Sequence, residues 1–260
     1  MKKIMKFIFL FIIILNFNYN LSAAEQTKKL LNPEWSFKGF FGKFDKPSLQ
    51  RGYQVYSEVC AACHSIKYLN YRNLAEPGGP EFSTEQAKII ASNFEVVDGP
   101  DDTGEMFTRP ARLSDNFVGP YPNEKAAAAA NGGAYPPDMS VLVKARKGGA
   151  DYIYSVLLGY EDPPVDINLD EGVYYNTYMS GNKIKMANPL SEGIIEYTDG
   201  TKATNEQMAK DVTTFLAWAA EPHLEQRHKM GFRAIMYLLI LTILVFFSMK
   251  KIWSRIETKV

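Results

Sequence analysis

The stretch Arg51–Ser65, "RGYQVYSEVCAACHS", holds the only two cysteines of this 260-residue chain, and a histidine follows the second at once. Cys60, Cys63 and His64 admit three chemistries. A zinc site needs four protein ligands, or three and a water, and the other two histidines, His223 and His228, stand far along the chain. A redox dithiol calls for a βαβ setting and has no use for the histidine. Covalent haem c uses all three residues: two thiols three positions apart each add to one vinyl group, and the imidazole that follows is offered to the iron. One such motif means one haem, held through Cys60 and Cys63, with both thiols consumed and no disulfide left to form.

The two ends of the chain place this chemistry. Lys2, Lys3 and Lys6 precede an apolar run from Phe7 to about Phe17, and Ser22-Ala23-Ala24 follow. This is the pattern of a secretory signal peptide, residues 1–24, cleaved after Ala24. At the other end, residues 231–249 are apolar apart from Arg233, which can snorkel. At about 1.5 Å per residue these 19 positions approach a hydrocarbon core of ~30 Å. Lys250, Lys251 and Arg255 follow, and basic flanks stay on the cytoplasmic side. The expected plan is a signal peptide (1–24), an exported domain (25–229), a transmembrane anchor helix (230–250) and a cytoplasmic tail (251–260). That plan puts a single-pass protein in a bacterial inner membrane, with its main domain in the periplasm.

Net charge is zero overall. The first 24 residues carry three lysines and no acid, and residues 230–260 carry five basic groups and one acid. The rest keeps 21 basic against 28 acidic groups, about −7. Such a surface disfavours nucleic acid and favours a basic partner.

Within the exported domain, residues 48–59 read as a helix with Ser48 as its cap, leading straight into the cysteines. A second short helix starts at Ser83 or Thr84. Residues 96–115 are polar and turn-rich. Ala126–Ala130 can be helical up to Asn131-Gly132-Gly133, and 149–160 form a helix ended by Gly159. Residues 161–203 are a long irregular loop of a kind seldom idle in a compact domain. Thr204-Asn205-Glu206-Gln207 fits a capping box. Behind it Met208, Val212, Phe215, Leu216 and Ala219 share one helix face, and Glu221-Pro222 ends or bends that helix. With no convincing alternating strands, the fold class is mainly α with long loops.

The second axial ligand decides between electron transfer and small-molecule chemistry. Met106, Met139, Met179, Met186 and Met208 are the candidates in the exported domain. Met208 belongs to an apolar helix face. Met186 stands in a loop with Pro189 behind it, which can present a sulfur from a rigid turn. Met139 and Met179 remain open, and His223 and His228 are rivals near the lipid boundary.

The sequence resembles the cytochrome c1 family, the membrane-anchored haem subunits of the ubiquinol–cytochrome c oxidoreductase (bc1) complex. The resemblance rests on "RGYQVYSEVCAACHS", "DGPDDTGEMFTRPARLSD", "PYPNEKAAAAANGGAYPPDMS", "VKARKGGADYIYSVLLGY", "MANPL", "DGTKATNEQMAKDVTTFLAWAAEPH" and "RHKMGFRAIMYLLI", in the family's order over nearly all of residues 50–250. It implies a cytochrome c-like haem domain with loop insertions and one transmembrane helix. It implies haem c on Cys60 and Cys63, with His64 and Met186 as the two iron ligands. Pro137 and Asn131 would pack on the haem, Arg146 would pair a propionate, and Tyr152 would approach the haem edge. Single electrons would come from a Rieske iron–sulfur protein and leave to a basic soluble or tethered cytochrome c. Cytochrome b would be the quinol-oxidising partner in a dimeric complex, and this chain a carrier with no catalytic residue. The alternatives are a stand-alone membrane-anchored cytochrome and a haem enzyme with a displaceable sixth ligand.

Two features depart from the family pattern. The disulfide of some bacterial members cannot form here, and Met139 stands where leucine is usual. Glu95, Asp98, Asp101, Asp102 and Glu105 form one candidate docking patch for the basic acceptor. Glu161, Asp162, Asp166, Asp170 and Glu171 form a second.

Overall fold

The computed structural model describes residues 28–165 and 167–257. The signal-peptide expectation (1–24) lies outside the described residues.

Among the described residues six α-helices carry the fold: α1 (Lys46–Glu58), α2 (Thr84–Ser92), α3 (Glu124–Ala130), α4 (Gly149–Leu158), α5 (Asn205–Ala220) and α6 (Leu224–Glu257). Two antiparallel ribbons accompany them. In the first, β1 (Glu95–Asp98) pairs with β2 (Phe107–Pro110), Glu95 opposite Pro110; in the second, β3 (Tyr174–Tyr175) pairs with β4 (Lys183–Ile184). The mainly helical expectation holds.

The core is the crossing of α1 and α5. Gly52 is buried there, and a Cβ on it would lie 2.1 Å from the Asp211 carbonyl oxygen and 2.7 Å from the Phe215 Cβ. Only hydrogen fits, so the two backbones meet directly. Around that point Phe215 packs against Tyr53 (5.8 Å between ring centroids), Tyr56 (5.6 Å) and Trp218 (5.5 Å). Met208, Val212, Phe215 and Leu216 are buried as the helical spacing requires. Beside Gly52, Arg51 grips the fully buried Asp211 with two nitrogens, Nε to Oδ2 at 2.8 Å and Nη2 to Oδ1 at 3.1 Å. Its Nη1 reaches Asp199 at 2.9 Å. The α4 helix packs on α5 as well.

Local details depart from the sequence expectation in three places. The α1 cap is Asp45, whose carboxylate accepts from the Ser48 N–H; Lys46 and Pro47 form the first turn, where proline's missing N–H costs nothing. Thr204 accepts from the Gln207 N–H, but the Gln207 side chain turns to Asp211 at 2.9 Å rather than back to the cap. The turn-rich stretch 96–115 contains the β1–β2 hairpin. Its loop is folded by Asp101, whose carboxylate accepts from the Thr103 N–H and hydroxyl and from the Glu105 N–H.

The head joins its anchor without slack. Only Glu221, Pro222 and His223 separate α5 from α6. Glu221 caps α5, accepts from Lys144 at 3.0 Å and Arg227 at 2.5 Å, and its carbonyl receives the Leu224 N–H. The 34 residues of α6 span about 51 Å, and its large apolar side chains from Ile235 to Phe247 are exposed, as lipid contact requires. It is the one helix among the described residues long and apolar enough to cross a membrane.

Acid loosens the surface loops in a defined window. Arg109 holds the Asp98 and Asp115 carboxyls below the usual range, and the Thr201 backbone N–H, then Arg51, bring Asp199 to about 2. Depressed folded values add stability that is present above the unfolded value of about 3.9 and lost as pH falls through the folded values. The thermal midpoint should therefore stay flat down to about pH 5 and fall between about pH 4 and 2. Arg109→Gln should flatten part of that fall, measured by circular dichroism melts across pH.

Candidate functional site

Helix α1 ends at Glu58, and the chain tightens into a 3₁₀ turn at Cys60–Ala62. The Cys60 carbonyl accepts from both the Cys63 N–H (3.1 Å) and the His64 N–H (2.9 Å). Positions i, i+3 and i+4 of such a turn share one side, so two thiols and an imidazole are presented together. Both thiols are free, Cys60 buried and Cys63 partly exposed. Burial, and then the neighbouring Cys63, push the Cys60 thiol up to about 12. A protonated, apolar thiol is the opposite of the low-pKa nucleophile a redox dithiol needs.

His64 is buried and oriented. Its Nδ1 lies 2.8 Å from the Pro137 carbonyl oxygen, and burial lowers its pKa. A neutral imidazole donating Nδ1–H to that carbonyl keeps a free lone pair on Nε2, the arrangement of a metal-ligating histidine. Tyr56 holds the His64 carbonyl through its hydroxyl at 3.1 Å.

A second segment braces this turn. Asp138 accepts from the Ser65 hydroxyl (2.7 Å) and the Lys67 N–H (3.0 Å), the Met139 N–H donates to the Ser65 carbonyl (2.7 Å), and the Tyr68 N–H donates to Ser140 Oγ (3.1 Å). Burial opposes ionisation of Asp138, yet the N–H and hydroxyl donors of Lys67, Ser140 and Ser65 hold its carboxyl below the usual range. Asp138 and Tyr56 were missed in the sequence reading. The "YPPD" motif contains Asp138, but Ser65 and Lys67, which it braces, lie some seventy positions away.

The methionines separate by setting. Met208 is fully buried on α5, and Met106 is exposed in the β1–β2 loop. Met139 is buried against the core. Met179 Sδ accepts from the Tyr152 hydroxyl at 3.2 Å. Met186 is half-buried on a loop fastened at three points: the Tyr160 hydroxyl donates to its carbonyl (3.0 Å), Lys185 Nζ reaches the Gly132 carbonyl (3.2 Å), and Leu190 is buried. That lysine contact brings the Met186 loop to the turn after Asn131. Asn131 caps α3, and its Nδ2 bonds the Ala127 carbonyl (2.7 Å) and the Tyr121 hydroxyl (3.2 Å). Arg146 is exposed just before α4, and its guanidinium donates to its neighbour's carbonyl, with no ion pair among the described residues. His223 is exposed, and His228 Nδ1 lies 3.3 Å from the Gly42 carbonyl oxygen, at the foot of the head.

These residues fit a covalently held haem c. The donor set is two free thiols and one oriented imidazole on a single turn, and among the described residues no three or more His, Cys, Asp or Glu side chains gather as a metal cluster would require. The acidic patches are partly used internally: Asp98 is paired with Arg109, Asp101 folds its own loop, and Glu161 pairs with Lys28 at 3.2 Å. Asp166 lies outside the described residues.

A model of the cytochrome C1 family matches residues 35–256. The chain is 47% identical to a cytochrome b/c1 of Bradyrhizobium diazoefficiens over 89% of its own length and 36% of that longer protein. It is 44% identical to a cytochrome c1 of Rhodospirillum rubrum, covering 90% of this chain and 91% of that one. It is 48% identical to a mitochondrial cytochrome b-c1 complex catalytic subunit of Candida albicans, covering 86% and 77%.

Proposed function

Since the chain belongs to the cytochrome c1 family, we propose that it is the electron-transfer subunit of a bc1 complex, a ubiquinol–cytochrome c oxidoreductase. It takes single electrons from a Rieske iron–sulfur protein and hands them to a soluble or tethered cytochrome c. Quinol is oxidised on a cytochrome b partner, and this chain binds none. The observation that carries the reading is the turn Cys60–His64, with both thiols free and His64 fixed by the Pro137 carbonyl.

When bound, the haem supplies one iron that gains and loses a single electron. Cys60 and Cys63 would hold the haem by thioether bonds, each thiol adding its sulfur and hydrogen across one vinyl group with no oxidant required. His64 would give the iron its Nε2 lone pair, with its own Nδ1–H donated to the Pro137 carbonyl. Met186 would offer its thioether sulfur from the fastened loop, which would favour the reduced state and keep small molecules off the metal. The guanidinium of Arg146, with no ion pair among the described residues, suits an anionic propionate. Pro137, Asn131 and Tyr152 contribute the walls. The haem domain faces the periplasm of a bacterial inner membrane, with Lys250 and Lys251 on the cytoplasmic side, and the complex is dimeric.

The test is purification through this chain in mild detergent. Cytochrome b and a Rieske protein should be recovered with it, and the native ferrous form should not bind carbon monoxide. Recovery of the chain alone would leave a stand-alone cytochrome, and rapid stoichiometric carbon monoxide binding would mean a haem enzyme.

Tyr160 should matter to the Met186 loop beyond packing. Removing its hydroxyl deprives the Met186 carbonyl of its donor, a loss of about 1 kcal/mol. Tyr160→Phe should raise the carbon monoxide-reactive fraction of the ferrous protein about fivefold, with the circular dichroism melt nearly unchanged.

A further inference from the structure

The segment Trp35–Phe44 doubles back on itself and ends in two adjacent phenylalanines, Phe40 and Phe41, that the haem chemistry does not use. Their rings are 54% and 75% exposed, yet the segment bearing them is tightly held. The Lys38 N–H donates to the Trp35 carbonyl, the Gly42 N–H to Gly39 and the Lys43 N–H to Ser36. Trp35 Nε1 and Lys38 Nζ both donate to Asp151. Gly42 is buried, and a Cβ there would lie 2.2 Å from the Phe37 carbonyl oxygen. Two exposed phenylalanines on a pinned turn form a built surface.

What that surface meets follows from its register on α6. The Phe44 N–H donates to Glu225, His228 Nδ1 meets the Gly42 carbonyl, and the Phe41 ring lies 6.3 Å from the Phe232 ring. Positions 225, 228 and 232 fall along one helix face. Walking back from Phe44 to Phe41 therefore descends seven residues of α6, about 10 Å, toward the lipid. The tip arrives level with Phe232, which is itself 45% exposed and opens the apolar span. Lys43 and Arg233, both exposed, stand beside the rings in sequence. Aromatic side chains at the mouth of a span, flanked by basic groups, suit the boundary between acyl chains and phosphate headgroups.

We infer that the Phe40–Phe41 tip is a second membrane contact: it sits in the headgroup–acyl boundary of the outer leaflet beside α6 and fixes the tilt of the head on the bilayer. Its occupant is lipid, because the exposed rings continue the lipid-facing surface of the span.

The test is photo-crosslinking in native membranes. Full-length protein carries p-benzoylphenylalanine in place of Phe41 or, separately, Phe40, both aromatic replacements at exposed positions. The same group in place of Leu239 is the lipid control, and in place of Val165 the water control. The expected result is a phospholipid adduct on the peptide containing residue 41 or 40, in yield similar to the Leu239 control. A polypeptide adduct would overturn the inference by placing a protein partner on the tip. A yield no higher than at Val165 would overturn it by placing the tip in water.

Discussion

Met186→Leu is expected to give the largest functional change in the molecule. The thioether of Met186 is the second protein donor proposed for the iron besides His64, and a leucine of similar volume keeps the loop packed while removing the sulfur. Haem axial ligands tune potentials over about 0.8 V, with methionine toward the high end. The variant should therefore lose roughly 0.2–0.4 V, and its ferrous form should bind carbon monoxide. Potentiometric titration and carbon monoxide difference spectra read both changes. Met179→Leu serves as the control. Its sulfur already accepts from the Tyr152 hydroxyl, so the potential should stay near that of the parent. A Met186→Leu protein with the parental spectrum and potential would remove Met186 as the ligand.

The largest stability change is expected from Arg51→Ala. Asp211 has no exposed side-chain surface and receives two of its three hydrogen bonds from Arg51. Removing one partner of a buried pair leaves an uncompensated charge, at about 3–5 kcal/mol. For a head of this size that corresponds to a drop of roughly 10 °C in the thermal midpoint. Arg51→Leu combined with Asp211→Leu should be less destabilised than Arg51→Ala, since no buried charge is left alone. A double variant no more stable than Arg51→Ala would mean that the buried Asp211 charge is not the source of the loss.

The helices were legible because their signals are local. Ser83, Thr204 and Gly159 mark their ends within a few positions of the turns they cap, and the period from Met208 to Ala219 is long enough to be unambiguous. Asp45 was missed because Lys46-Pro47 reads as a breaker, although proline is tolerated in a first turn. The β1–β2 hairpin was missed because each strand is only four residues and its turn chemistry dominates the composition. The haem turn was legible as a motif because Cys60, Cys63 and His64 are contiguous. Its support was not: Asp138 reaches Ser65 across 73 positions and Tyr160 reaches Met186 across 26. No periodicity reports such pairs, because they are set by how the long loops fold over α1 and α5.

The three-residue joint between α5 and α6, clamped at Glu221 by Lys144 and Arg227, has a consequence for traffic. Electron tunnelling fades steeply over ångströms, so a donor and an acceptor on different sides of a head must each come within reach. A head on a loose tether could swing between them. This one is joined to its anchor by three residues and braced there by two ion pairs, which leaves it little room to swing. In the proposed role its partners do the travelling, each arriving, exchanging one electron and departing.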